Sequence, residues 1–324
     1  MAGKTPSAKK PTARNAPSAD LRWLLPFLVL VVAGVIVALA ASGDDQPPIP
    51  TYSPEPSVTP TDDGPTSKPE VDERTAVFAA VRGLAQTANG IVVAAEDGAW
   101  LLDPKGGTPR RLSNQKHRFS AMVNGNDGSL LASGLKEGGE EPLGLARSTD
   151  GGATFTPLSL DGAALFGHLR AHQNRVYGWD AGTQGLMVTE DGRNWDTRSV
   201  ESRLLDFAVD PSDPSRWVRA VPEGGVGLPE VQRSEDGGRT WKRIAAPSLF
   251  LFSWQAADRL WALTEDGTIF RSTDAGHSWS PRNILPAPPT AILDTGEALY
   301  VALTNVGVYG STDDGRNWER LDHS

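Results

Sequence analysis

His168, Arg170 and His172 stand at a spacing of two, and on a β-strand that spacing puts them on one face. A row of imidazole, guanidinium and imidazole suits an anionic or carbohydrate ligand. His117 and Arg118 in one earlier stretch, and Trp254 in a later one, add basic and aromatic groups at comparable places. These six residues are the candidate ligand contacts. The two histidines, four apart, also offer two ligands to a metal. No cysteine and no third histidine nearby completes a set, so neither metal nor cofactor is expected.

The remaining reactive groups are less focused. Hydrolysis of a glycoside needs two carboxylates at a defined separation. The chain has 40 acids, and no spacing singles out a pair. Tyr177 and Tyr300 fall at equivalent places in successive repeats, shared with Trp217 and Trp261, which marks packing rather than a nucleophile. No phosphate-binding glycine loop is present. The net charge is -9 with no basic stripe beyond the first segment, so nucleic acid is not an expected partner.

These groups must be positioned by a repeat. Ser148-Thr-Asp150-Gly-Gly152-Ala-Thr-Phe155 recurs as Ser234 to Trp241 through Asp236 and Gly238, as Ser272 to Trp279 through Asp274 and Gly276, and as Ser311 to Trp318 through Asp313 and Gly315. A worn copy keeps Gly192 and Trp195, with Glu190 read in place of the aspartate. The closing aromatics lie 40, 46, 38 and 39 residues apart, a period that signals one supersecondary unit repeated. Each copy reads as a tight turn. Ser and Asp bond to the turn backbone, glycine supplies a positive φ, and the aromatic tucks against the unit's apolar body. An EF-hand would need alternating carboxylates and a twelfth-position Glu, which these turns lack.

The pattern resembles the Asp-box, or BNR repeat, of sialidases, sortilin-type receptors and photosystem II assembly-factor-like propellers. The resemblance implies a β-propeller. It covers the turns and the fold but not a sialidase site, which needs three convergent arginines, a tyrosine nucleophile with a glutamate partner, and an aspartic acid. The Arg-Ile-Pro segment that usually brings the first arginine has no match in Arg110-Arg-Leu-Ser or in His117-Arg-Phe. Catalytic residues are therefore not assigned, although Arg118, Arg170 and Arg219 leave room for an unusual triad.

Before each turn come two short apolar strands joined at a glycine, such as 259–271 and 298–310, with one strand upstream and one downstream. Four strands per repeat make a propeller blade. Gly90 to Asp103 repeats the strand pair and runs into Pro104-Lys-Gly-Gly107, a turn decayed to its glycines. The count is six units, at about 77–115, 116–161, 162–201, 202–247, 248–287 and 288–324. The expected fold is all-β, a six-bladed propeller with four-stranded blades over 71–324. Thr75 to Ala79 either adds to the last blade or leads into the first. Gly-rich inserts at 134–144 and 222–229 lie between second and third strands, where recognition loops are carried.

Residues 1–20 form a basic tail expected to be disordered and cytoplasmic. Trp23 to Gly43 are 21 uncharged residues, long enough to span a bilayer, so 21–43 reads as a transmembrane helix or a signal sequence. The Pro/Thr/Ser-rich linker 44–70 extends about 80 Å as polyproline II. Without cysteine, the domain needs no disulfide in an oxidising compartment. The expected protein is a single-pass membrane protein with its propeller outside the cytoplasm, or a secreted one if the signal is cleaved. It serves as a binding or assembly module for a protein or glycan on the loop face; the alternative is an exo-sialidase-like hydrolase.

Overall fold

The computed structural model describes residues 78–323. The expected tail, membrane segment and linker lie outside the described residues. Among those described, no helix is long and apolar enough to cross a membrane.

The described chain forms six antiparallel sheets of four strands each. The first blade holds β1 (Val81–Thr87), β2 (Gly90–Ala95), β3 (Gly98–Leu102) and β4 (Arg110–Arg111). The second holds β5 (Arg118–Asn124), β6 (Leu130–Leu135), β7 (Leu145–Ser148) and β8 (Thr156–Ser159). The third holds β9 (Phe166–His172), β10 (Arg175–Asp180), β11 (Gly185–Thr189) and β12 (Asp196–Val200). The fourth holds β13 (Asp206–Asp210), β14 (Asp213–Pro222), β15 (Pro229–Ser234) and β16 (Lys242–Arg243). The fifth holds β17 (Leu249–Ala256), β18 (Arg259–Thr264), β19 (Thr268–Ser272) and β20 (Ser280–Ile284). The sixth holds β21 (Pro289–Asp294), β22 (Leu299–Leu303), β23 (Gly307–Ser311) and β24 (Glu319–Arg320).

The first strand of every blade touches the first strands of both neighbouring blades, and β1 meets β21, so the ring is closed. No sheet mixes strands from the two ends of the described chain. Phe78, just before β1, sets its ring edge to face on Trp100 and is buried in the cluster shared by the first and sixth blades, without adding a strand to the sixth.

The apolar core is divided among the six seams between blades. One cluster joins Val92 and Ala94 of the first blade to Phe119, Leu130 and Phe155 of the second. Another joins Tyr177 and Leu186 to Phe207 and Trp217. Burying both faces of each sheet suits the runs of Val, Leu and Ala in the second strands.

The repeated turns build these seams. In four of them the serine Oγ accepts the glycine N–H at 2.8–3.1 Å and donates to aspartate Oδ1 at 2.8–2.9 Å. The aspartate then takes the N–H and the side chain of Thr154, Thr240, Ser278 or Asn317, the residue just before the aromatic. That residue is Thr, Ser or Asn in all four copies. The aromatic lies against the preceding blade as well as its own. Phe155 joins Val92 and Ala94, and Trp195 Nε1 donates to Ser159 Oγ of β8 at 3.1 Å.

Two expectations need correction. In the worn turn the acid is Asp191, not Glu190. Asp191 takes the N–H groups of Arg193 and Asn194 and the Asn194 amide, while Glu190 accepts from Arg175. This turn is one residue shorter between acid and aromatic, which moves the acid forward in sequence. Trp217 is also not the counterpart of Tyr177. Trp217 pairs with the turn serine Ser234, as Leu260 pairs with Ser272, whereas Tyr177 and Trp261 lie one residue later on their strands. Tyr177 reaches forward to the fourth blade and Trp217 backward to the third, and the rings meet edge to face at 5.1 Å.

Candidate functional site

Early residues of neighbouring first strands meet early residues, and late meet late: Ser120 bonds to Phe166, Gln86 to Asn124. The six first strands therefore run in one direction along the axis. The ring has a turn face, carrying the repeated turns, and a loop face, carrying the inserts and the connections between blades.

The structure brings two of the six predicted contacts together. Arg170 Nη2 contacts both carboxylate oxygens of buried Asp206 at 2.6 and 2.7 Å, and His168 Nδ1 lies 3.2 Å from Oδ1. Arg170 also donates to the Phe252 carbonyl in the fifth blade at 3.1 Å, and Asp206 accepts the Phe252 N–H at 2.8 Å. One ion pair thus ties three blades at the axis. Burial would raise the Asp206 pKa, but Arg170 and then His168 hold it below the usual carboxylate range.

His172 stands apart at the end of β9. Burial, then the Arg170 charge, lowers its pKa to about 4 against the pull of Asp210, so the ring is neutral near pH 7. His117 precedes β5 and is buried. Its Nδ1 accepts the Glu137 N–H at 3.2 Å, and burial lowers its pKa. Arg118 lies on the loop face with Nη2 3.8 Å from Glu96, whose other oxygen is held by Arg82 at 2.7 Å. Trp254 is only 3% exposed and packs with Phe252 and Leu260 in the seam of the fourth and fifth blades.

A first strand presents its two faces to neighbouring blades and only its edge to the axis. Period-two alternation therefore selected seam residues rather than a channel wall. The five charged or aromatic side chains at 117, 118, 168, 170 and 254 are each committed to a neighbour.

The seam between the third and fourth blades is unlike the rest on the loop face. Arg219 is 6% exposed and occupies the place held by Ala132, Gly178, Ala262 and Val301 in other blades. Its guanidinium contacts Glu201 at 3.0 Å, bonds Gln232 at 2.9 and 2.7 Å and lies 4.2 Å from the centre of a Trp241 ring. Gln232 reaches Glu230, and Arg243 joins Glu230 and Glu223, carrying the network to the surface. A buried arginine is costly to desolvate, and replacing one small apolar residue with it makes this seam chemically distinct.

Above the network stands the 223–228 insert. β14 is the longest strand, and it raises this turn at its end. The turn is braced internally. Glu223 N–H bonds to the Leu228 carbonyl at 2.9 Å and Gly227 N–H to the Glu223 carbonyl at 2.7 Å. Gly224 and Gly225 take positive φ of 58° and 81°, a conformation glycine adopts without penalty. The bracing holds Val226 and Leu228 outward, 81% and 72% exposed, with Val200 at the end of β12 67% exposed on the same face. The other insert, 134–144, is tied down by Lys136, which bridges Glu141 within it at 2.6 Å and Asp161 after β8 at 2.7 Å.

Neither a family model nor a curated protein matches this chain. Solved structures do. A chain of the nidogen/laminin complex aligns at 13% identity and TM-score 0.54, over 74% of this chain and 92% of that one. A gluconolactonase from Xanthomonas campestris aligns at 12% and 0.56, over 72% and 86%. A GH74 xyloglucanase from the same organism aligns at 16% over 76% of this chain; its TM-score of 0.47 carries no argument. This chain spans 38% of the xyloglucanase chain. Identities this low show the β-propeller fold alone.

Proposed function

We propose that this chain is a membrane-tethered, extracytoplasmic propeller that binds a protein or glycan through its loop face, at the rim of the third and fourth blades. The observation that carries the reading is the braced 223–228 turn, which holds Val226 and Leu228 in solvent above a charged, hydrogen-bonded base. Apolar anchors rimmed by polar groups are the anatomy of an interface. A flexible surface loop would instead be polar and unbraced.

The repeated turns resemble Asp-boxes, and the tethering rests on the apolar stretch 23–43 and its basic flank. The likeness to a chain of the nidogen/laminin complex is compatible with a propeller that docks to protein. The hydrolase reading asks for an arginine triad beside a tyrosine. Of the three candidate arginines, Arg118 lies by Glu96, Arg170 is held by Asp206, and Arg219 by Glu201 and Gln232. Tyr177, Tyr300 and Tyr309 are packed within the sheets. The geometry therefore favours binding.

The test is a photo-crosslinking residue placed at 228 in the full-length protein in intact cells. We expect a discrete adduct, lost in Val226→Asp and retained when Glu319 is changed instead. A glycan array probed with soluble 71–324 provides the glycan arm. No adduct and no glycan signal, together with turnover of a sialoside, would overturn the proposal. Protection of the propeller from protease added to spheroplasts would overturn the topology.

A further inference from the structure

Five blades drive an aromatic turn residue into the seam behind them: Phe155, Trp195, Trp241, Trp279 and Trp318. The first blade does not. Its turn is Pro104-Lys-Gly-Gly107 and carries no aromatic. The seam it faces is the one where the ring must close, and no strand is shared across it.

We infer that residues 321–323 replace the missing aromatic and act as a latch that closes the ring between the sixth and first blades. Leu321 is buried between the two blades, among Val81, Ile91, Tyr300 and Val308. Its N–H donates to the Val308 carbonyl at 2.8 Å, and its carbonyl accepts the Gly107 N–H at 2.8 Å. One residue thus bonds to both sides of the seam through its backbone.

Asp322 is buried and accepts the Val308 N–H at 2.9 Å, with Arg320 Nε 3.2 Å away. A side chain at Gly307 would collide with this carboxylate, so glycine makes room for it. His323 lies over Gly106, where an added Cβ would be 2.7 Å from its Nε2. Gly106, one of the glycines to which the first blade's turn has decayed, leaves the space that His323 occupies. The closing seam has this segment, bonded across it to Gly107, where the other seams have a turn aromatic.

Amide hydrogen exchange on full-length protein tests this. In Asp322→Ala and, separately, Leu321→Ala, the Val308 and Gly107 amides should exchange about tenfold faster or more, because a buried N–H loses its acceptor or its cover. Strands β9 and β13, across the ring, should keep their protection. Asp322→Asn, which retains an acceptor oxygen, should restore most of the Val308 protection. Unchanged exchange at Val308 and Gly107 in both alanine variants would overturn the latch. So would an equal rise in β9 and β13, which would mean general destabilisation. If Asp322→Ala does not fold, Leu321→Ala and Asp322→Asn still decide between these outcomes.

Discussion

Nη2 of Arg170 in the third blade lies 2.6 Å from Oδ1 and 2.7 Å from Oδ2 of Asp206 in the fourth. The carboxylate is almost completely removed from water. Breaking such a pair from one side leaves an uncompensated charge. Arg170→Met should therefore cost about 3–5 kcal/mol in urea unfolding at pH 7. Arg170→Met with Asp206→Asn should recover part of that loss, since the amide needs no cation and can still accept from Phe252. Strict additivity of the two changes would show that the residues are not coupled.

The worn turn of the third blade gives a second test. Asp191→Ala should lower the thermal midpoint clearly, because three N–H donors lose their acceptor. Glu190→Ala should move it much less, since Glu190 makes only an exposed pair with Arg175. The reverse ranking would restore Glu190 as the acid of this turn.

Acid should destabilise the ring in two windows. His172 is held neutral, with its pKa lowered to about 4 from 6.5 by burial and by Arg170. Between those values the unfolded chain binds a proton that the folded chain does not, so stability falls as pH drops from about 6.5 to 4. The turn acids act lower. Thr154 hydrogen bonds lead the effect that holds Asp150 at about 2. Burial would raise Asp274, but Ser278 and Ser272 outweigh it and hold that residue at about 2 as well. Their contribution is full above pH 4 and is lost as pH falls toward 2. Denaturant midpoints across pH should show both steps, and His172→Gln should reduce only the upper one, leaving the part that His117 contributes.

Phe155 tests the packing of the seams. It is buried between the first and second blades and stacks at a tilt on Phe119, ring centres 5.0 Å apart. Phe155→Ala should cost about 3–5 kcal/mol. The loss should expose β2 of the first blade to hydrogen exchange as well as the second blade itself. Exposure confined to the second blade would contradict a shared core.

The fold was legible because its signals are local and repeated. Strand, turn and period could be read within each 38–46-residue unit, and six units became six blades. The site was much less so. Asp206 meets Arg170 across 36 residues and belongs to no repeated motif, so nothing in the sequence joined them. Trp254 was offered for its place in the first strand of the fifth unit. That strand carries register shifts between Leu249 and Leu251 and between Trp254 and Ala256, which undo any parity count. Arg219 carries a usable signal of another kind. Aligning each second strand on its turn serine shows an arginine where other blades have Ala, Gly or Val.

The placement of each turn aromatic against the blade before it has a consequence for biosynthesis. A growing chain that has just emitted one blade has not yet made the ring that fills the seam behind the next. Phe155 follows the last strand residue of the first blade, Arg111, by 44 positions, so that blade waits for roughly one further repeat of translation before its outward face is covered. Maturation therefore trails the ribosome by one blade throughout. The debt passes forward until Leu321 emerges, and only then does the first-made sheet receive its last neighbour.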